Sequence, residues 1–129
     1  MSAKTIHQEV TFKAQPAKVY DALLDAKSFA AFTGAPATID AKVGGAVNAF
    51  GGMITGFNVE LVPGKRIVQA WRAGNWPEGI HSIVKFELAA SAGGTKLTLD
   101  HVGAPDGSEE MLESGWHKMY WEPLAKFVA

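Results

Sequence analysis

The sequence predicts an α+β fold: an antiparallel sheet held against one long C-terminal helix. Three observations carry that expectation. Residues 108–129 space Leu112, Trp116, Met119, Tyr120, Pro123 and Phe127 three or four apart, which sets them on one stripe of a helix. Residues 37–102 alternate apolar with polar between glycine-containing turns, which is the period of strands. Strands joined by turns that short pair antiparallel, and helices gathered on one face of the sheet complete the class.

The elements follow in order. In residues 5–13, Ile6, Gln8, Val10 and Phe12 share one face, while His7, Glu9 and Thr11 share the other, as on a half-buried strand. Pro16 suits the first turn of a helix, where its missing N–H costs nothing, and Val19, Tyr20 and Leu23 supply that helix's apolar side. Ser28 is placed to cap a second short helix carrying Phe29 and Phe32, ended by Gly34 and Pro36. About six strands come next. Gly51-Gly52 makes a tight turn after residues 46–50, since glycine accepts positive φ. Thr55, Phe57, Val59 and Leu61 then alternate, as do Ile67, Gln69 and Trp71. A loop over residues 73–79 leads to Ser82, Val84, Phe86 and Leu88. Gly93-Gly94 turns the chain into Leu97, Leu99 and His101. Ser108 is placed to cap the long helix, about 30 Å in length at ~1.5 Å per residue.

A chain of 129 residues fits one domain, residues 1–129. Hydrophobic residues at 47% against 19% charged make it globular rather than disordered. A net charge of −1 with no basic run gives nucleic acid nothing to hold. The absence of cysteine excludes disulfides and thiolate chemistry. No apolar run approaches the ~18 residues of a membrane span, and residues 1–10 do not resemble a signal peptide, so a cytoplasmic protein is expected. No phosphate-binding loop, nucleophile elbow, zinc motif or dinucleotide fingerprint occurs, so neither catalytic residues, a metal site nor a cofactor is assigned.

Alternation points Phe57, Gln69, Trp71, Ser82, Val84, Phe86, Leu99 and His101 inward from the sheet, with Trp116, Met119 and Tyr120 opposite and Phe32 beside them. Mostly apolar walls with a few polar groups are what a small-molecule pocket needs; the competing reading is a filled core. Gln69, Ser82, His101 and Tyr120 would be the polar anchors of such a pocket. They lose that role if all four are bonded only to protein groups. His101 reads either as a pocket donor or base, or as a core histidine satisfied by a neighbour. Trp76, Pro77 and Glu78 put an aromatic on a loop, either as a gate or partner contact or as a cap on the core.

Trp71-Arg72, then Asn75-Trp76-Pro77-Glu78-Gly79, then Gly115-Trp116, set in this order of elements, resemble the C-terminal domain of the heat-shock protein 90 ATPase activators and their stand-alone bacterial homologues. The resemblance runs over nearly the whole chain, and the WR…NWPEG stretch is its most specific part. It implies the helix-grip fold of the START-like, Bet v 1-like (SRPBCC) superfamily: a curved antiparallel sheet wrapped around the C-terminal helix, with two short helices after the first strand. The resemblance brings no shared catalytic motif. Related clefts hold lipid-like or polycyclic molecules, so the first function expected is binding of a small apolar or amphipathic ligand between sheet and helix. The alternatives are a protein-interaction module with a chaperone or other protein partner, and a cavity enzyme of cyclase or hydrolase type.

Overall fold

A computed structural model describes residues 5–77, 79–105 and 107–128, without the side chain of Glu109. Strand β1 (Ile6–Phe12) leads into helices α1 (Pro16–Leu24) and α2 (Ala26–Thr33). Strands β2 (Thr38–Ile39), β3 (Ala46–Ala49), β4 (Ile54–Val62), β5 (Arg66–Ala73), β6 (Ser82–Ser91) and β7 (Gly94–Val102) follow. The chain closes on a long helix in three parts: α3 (Glu109–Gly115), a π-helical stretch (Trp116–Trp121) and α4 (Glu122–Val128). The seven strands form one antiparallel sheet in the order β1-β7-β6-β5-β4-β3-β2. The first strand is thereby carried round to pair with the last, and the helices lie over one face. This is the helix-grip fold.

Pro16 does open α1. The cap of α2 differs from expectation. Asp25 holds the N-cap, its carboxylate accepting from the Ser28 backbone N–H at 3.0 Å and from the Ser28 hydroxyl at 2.8 Å. Ser28 is therefore the capped residue, and the longer-reaching carboxylate one turn earlier wins the position. Ser108 also does not cap its helix; its hydroxyl turns back to donate to the Pro105 carbonyl at 2.5 Å.

Two corrections concern which way side chains point. In β4 the pairing slips between Asn58 and Glu60, leaving Val59 as the extra residue of a bulge. Ahead of the bulge, Ile54 and Asn58 are buried while Phe57 is 45% exposed; past it, Leu61 returns to the core. One inserted residue reverses the parity of a period-2 pattern, so Phe57 lies on the outer face instead of the inner one. In the long helix the buried row is Trp116, Tyr120, Leu124 and Val128, joined by Trp121. Met119 is 47% exposed and falls outside that row. The physical source is the π stretch. Pro123 lacks an N–H and its ring crowds the carbonyl four residues earlier, and widening the turn ahead of it to i→i+5 spacing relieves both. The wider turn keeps residues four apart in line, so Met119 aligns with exposed Met111 and half-buried Pro123 instead of with the core.

Candidate functional site

The centre of the molecule is a run of indoles. All four tryptophans take part. Trp76 sits edge-on to Trp71 (5.8 Å between ring centres), Trp71 stacks on Trp116 (5.7 Å), and Trp116 stacks on Trp121 (5.5 Å). Tyr120 lies 4.4 Å from Trp116, and Phe86 meets Trp116 edge-on at 5.6 Å. Each edge-to-face or offset pair adds roughly 0.5–1.5 kcal/mol to the burial itself. The sheet supplies Trp71 and Phe86 from inward positions on neighbouring strands, the loop after β5 supplies Trp76, and the helix supplies Trp116, Tyr120 and Trp121.

His101 is fully buried against this run. The Trp116 indole N–H donates to its Nδ1 (3.2 Å), so that nitrogen is the acceptor and the ring proton sits on Nε2. Nε2 then donates to the Ser82 hydroxyl (2.7 Å), and that hydroxyl donates to the Trp71 carbonyl (3.0 Å). Burial pushes the His101 pKa down from 6.5 to about 4, so the imidazole is neutral. Both nitrogens are committed to protein partners, which leaves no lone pair free for a general base. The chain of bonds ties the long helix to β5, β6 and β7 through one polar thread in an apolar interior.

Gln69 belongs to a second thread. Its amide N–H donates to the Asn58 carbonyl oxygen (3.1 Å), and the Asn58 amide donates to the backbone carbonyls of Asp40 (2.8 Å) and Lys42 (3.3 Å). Asn58, which the period-2 reading turned outward, is completely buried and anchors the segment before β3 to the sheet. The cue in the sequence is a pair of amides, but that they face each other depends on the bulge and its register. Tyr120 is buried, and desolvation raises its phenol pKa, partly offset by a hydrogen bond with the Trp71 side chain. Among the described residues, every buried side-chain nitrogen and oxygen has a partner.

The structure thus brings Trp71, Ser82, Val84, Phe86, Leu99, His101, Trp116 and Tyr120 together, with Phe32 adjoining at 6.5 Å from Tyr120. Gln69 is buried but separately bonded, and Phe57 and Met119 lie outside. The residues that period and spacing missed are Phe29, Phe50 and Trp121. Trp121 is buried and its indole donates to the Gln8 side chain at 2.7 Å, while the Gln8 amide donates to the Glu113 carbonyl at 3.1 Å. Two surface depressions, of about 610 and 420 Å³, lie beside the β4–β5 turn and the β6–β7 turn, and none of the expected site residues lines either.

The loop after β5 is held by Arg72. Its guanidinium donates to the carbonyls of Trp76 (3.0 Å), Pro77 (2.9 Å) and Ile80 (3.4 Å). Trp76 is buried against Trp71, so its ring caps the core, while Gly74, Asn75, Pro77 and Gly79 are exposed. Glu78 lies outside the described residues. The Trp71-Arg72…Trp76 motif is therefore one structural unit, with the indoles inward and the guanidinium binding the loop behind them.

The outer face of the sheet carries the exposed chemistry. Register places Ala46, Phe57, Ala70, Ile83 and Val102 side by side across β3 to β7. Phe57, Ile83 and Val102 are each 40% exposed or more, as is Val59 beside them. Further along the strands runs an unbroken series of ion pairs: Lys96–Glu9 (3.1 Å), Glu9–His7 (3.3 Å), His7–Asp100 (2.7 Å), Asp100–Lys85 (3.9 Å), Lys85–Glu87 (3.3 Å), Glu87–Arg66 (3.6 Å) and Arg66–Glu60 (2.9 Å). The two carboxylates at His7 approach opposite ring nitrogens and do not converge on one point, and the described residues contain no metal-binding group of three.

A curved sheet closed over an aromatic-rich helix, with an outer face half apolar and half charged, defines a START-like helix-grip protein without a catalytic constellation among its described residues. The chain belongs to the family described as activator of Hsp90 ATPase homolog 1-like proteins, whose sequence profile matches residues 13–129. The human activator of 90 kDa heat shock protein ATPase homolog 1 is 35% identical over 114 residues, which is 88% of this chain and 34% of that protein. A Dictyostelium discoideum homologue is 33% identical over 118 residues, 91% of this chain and 31% of the relative. The chain spans about a third of the length of these relatives. Among solved structures, a Plasmodium falciparum protein described as an HSP90 activator superposes with a TM-score of 0.85 at 27% identity, covering 90% of this chain and 89% of that one. A Chromobacterium violaceum protein does so at 0.81 and 30% identity over 98% of both chains. No helix among the described residues is long and apolar enough to cross a membrane.

Proposed function

We propose that residues 1–129 act as one protein-interaction module, docking through the outer face of the sheet onto a chaperone ATPase of the 90 kDa heat-shock class. The single observation that carries this reading is the cross-strand apolar row in which Phe57, Ile83 and Val102 are exposed around a buried Ala70, with no other described element lying over it. Contiguous exposed apolar surface rimmed by polar groups is the mark of an interaction site. The adjoining ion-pair series neutralises itself, so it would set orientation more than affinity. Family membership supplies the class of partner, and the cytoplasmic setting expected from the sequence suits it.

The test is an amide NMR titration with such a chaperone, alongside its ATPase rate. Shifts confined to β4–β7 outer residues are expected, and Ile83→Glu should weaken binding at least about tenfold by placing a charge in the apolar row. Absence of any shift and of any rate change at saturating chaperone would sink this reading.

A second reading is favoured by one observation of its own. It is the binding of a small apolar molecule between sheet and helix, with Trp71, Phe86, Trp116 and Tyr120 as walls. The observation is the strained turn after β3, where an aromatic ring closes the interior.

A further inference from the structure

The chain reverses between β3 and β4 through Phe50, Gly51 and Gly52, and all three have positive φ (54°, 65° and 96°). Glycine adopts that conformation freely; phenylalanine does so at a cost in backbone energy. Among the described residues, the other non-glycine in this state is Ala92, in a surface turn. What the strain at Phe50 achieves is the placement of its ring. The ring stands edge-on to Phe29 and to Tyr120, at 5.7 Å from each, while Phe29 and Tyr120 are themselves 5.5 Å apart. Phe50 is half-buried and is the outermost ring of this group; the next residue but two, Met53, is well exposed. One backbone bond, Gly51 N–H to the Pro36 carbonyl (3.0 Å), ties the turn to the segment after α2.

The chemistry behind the ring is specific. Phe29 and Tyr120 flank the place that Phe50 fills, with Phe32 packed against Phe29 and Phe86 against Tyr120, and none carries a charge. Tyr120 is the member of this group that carries a polar atom, its phenol oxygen. A phenol O–H donates as well as accepts, so Tyr120 has a proton to offer an acceptor oxygen.

We propose that Phe50 is a removable plug. The slot that its ring fills, between Phe29 and Tyr120, takes a neutral planar aromatic molecule bearing an acceptor oxygen, such as an aryl ketone. Rotation about Gly51 and Gly52 withdraws Phe50 and relieves its left-handed backbone. The incoming ring regains the two edge-to-face contacts, and the Tyr120 O–H donates to the ketone oxygen. A charged ligand finds no counter-charge in this slot and is disfavoured. The inference rests on the second reading above and names its ligand class and entry point.

The test uses 2-acetylnaphthalene as the probe, with naphthalene and decanoate as controls, followed by NMR and calorimetry. Shifts are expected on the rings of Phe29, Phe50 and Tyr120 and on the amides of Gly51 and Gly52. Phe50→Ala should bind the ketone at least about tenfold tighter, because the plug no longer competes. Phe50→Asn, whose side chain tolerates positive φ, should do the same and covers the case in which the alanine variant folds poorly. Tyr120→Phe should weaken the ketone about tenfold and leave naphthalene unchanged. Shifts on Trp71, Phe86 and Trp116 with none at Phe50, Gly51 or Gly52 overturn the slot while leaving interior binding standing. No binding by the wild type, Phe50→Ala or Phe50→Asn overturns the slot and the second reading together.

Discussion

His7 and His101 lie on the same pair of strands, one residue out of register, and point to opposite faces of the sheet. His101 meets indoles, a serine and no charge, and its pKa falls; His7 meets Asp100 and Glu9 in water, and its pKa rises. The same side chain is thus a fixed neutral strut on one side and a titrating link on the other. The difference teaches where each face spends its chemistry. Inside, polar groups are locked to protein partners and give the helix a single seat on the sheet. Outside, charges pair at the surface, where each contributes little, and leave an apolar row uncovered beside them.

The comparison breaks first at Trp116, which belongs wholly to the inner face. Trp116→Ala removes two stacking partners and the donor to His101, and should cost about 3–5 kcal/mol in urea unfolding. A cost near that of an exposed substitution would mean the indole run is not the seat of the helix.

His101 gives the next largest effect. Its folded pKa is depressed, so the unfolded chain binds the proton first as pH drops. Its stabilising contribution is complete above pH 6.5 and is lost as pH falls toward about 4, on the order of 3 kcal/mol over that range. His101→Gln should flatten this part of the stability profile, whatever it costs at pH 7. Equal slopes for the two proteins would remove the buried strut from the account.

His7 should give the smallest effect, of opposite sign. Hydrogen bonds donated to Asp100 first and then to Glu9 raise its pKa, so its contribution is full below pH 6.5 and disappears as pH rises through the raised midpoint. The proton NMR midpoint of its ring should lie above 6.5 and fall toward it in Asp100→Asn. A midpoint at or below 6.5 in the native protein would show that the surface pairs do not hold.

Much of the fold was legible. Alternation in β1, β5, β6 and β7 sent Ile6, Trp71, Ser82, Phe86 and His101 to the correct face, because those strands pair without a break. Phe57 and Met119 were misplaced for a common reason. Each lies where one inserted backbone unit, a bulge in β4 or a π turn before Pro123, shifts the phase of an otherwise regular pattern. Such shifts carry almost no composition signal. Asn58 was hidden by the same slip, and its polarity then argued for the surface when its partners lay within the fold.

By itself the sequence determined the element order, the antiparallel class, the aromatic richness of the last helix and the kinship carried by the Trp71-Arg72 and Trp76-Pro77 motif, since each follows from local period, turn chemistry or adjacent residues. Only the tertiary structure decided that the polar groups of the interior bond to one another, that Phe50 closes the aromatic group from a strained turn, and that an apolar row stands exposed on the far side of the sheet. Those outcomes depend on which distant residues meet, and that is a property of register and packing, which no single stretch of chain contains.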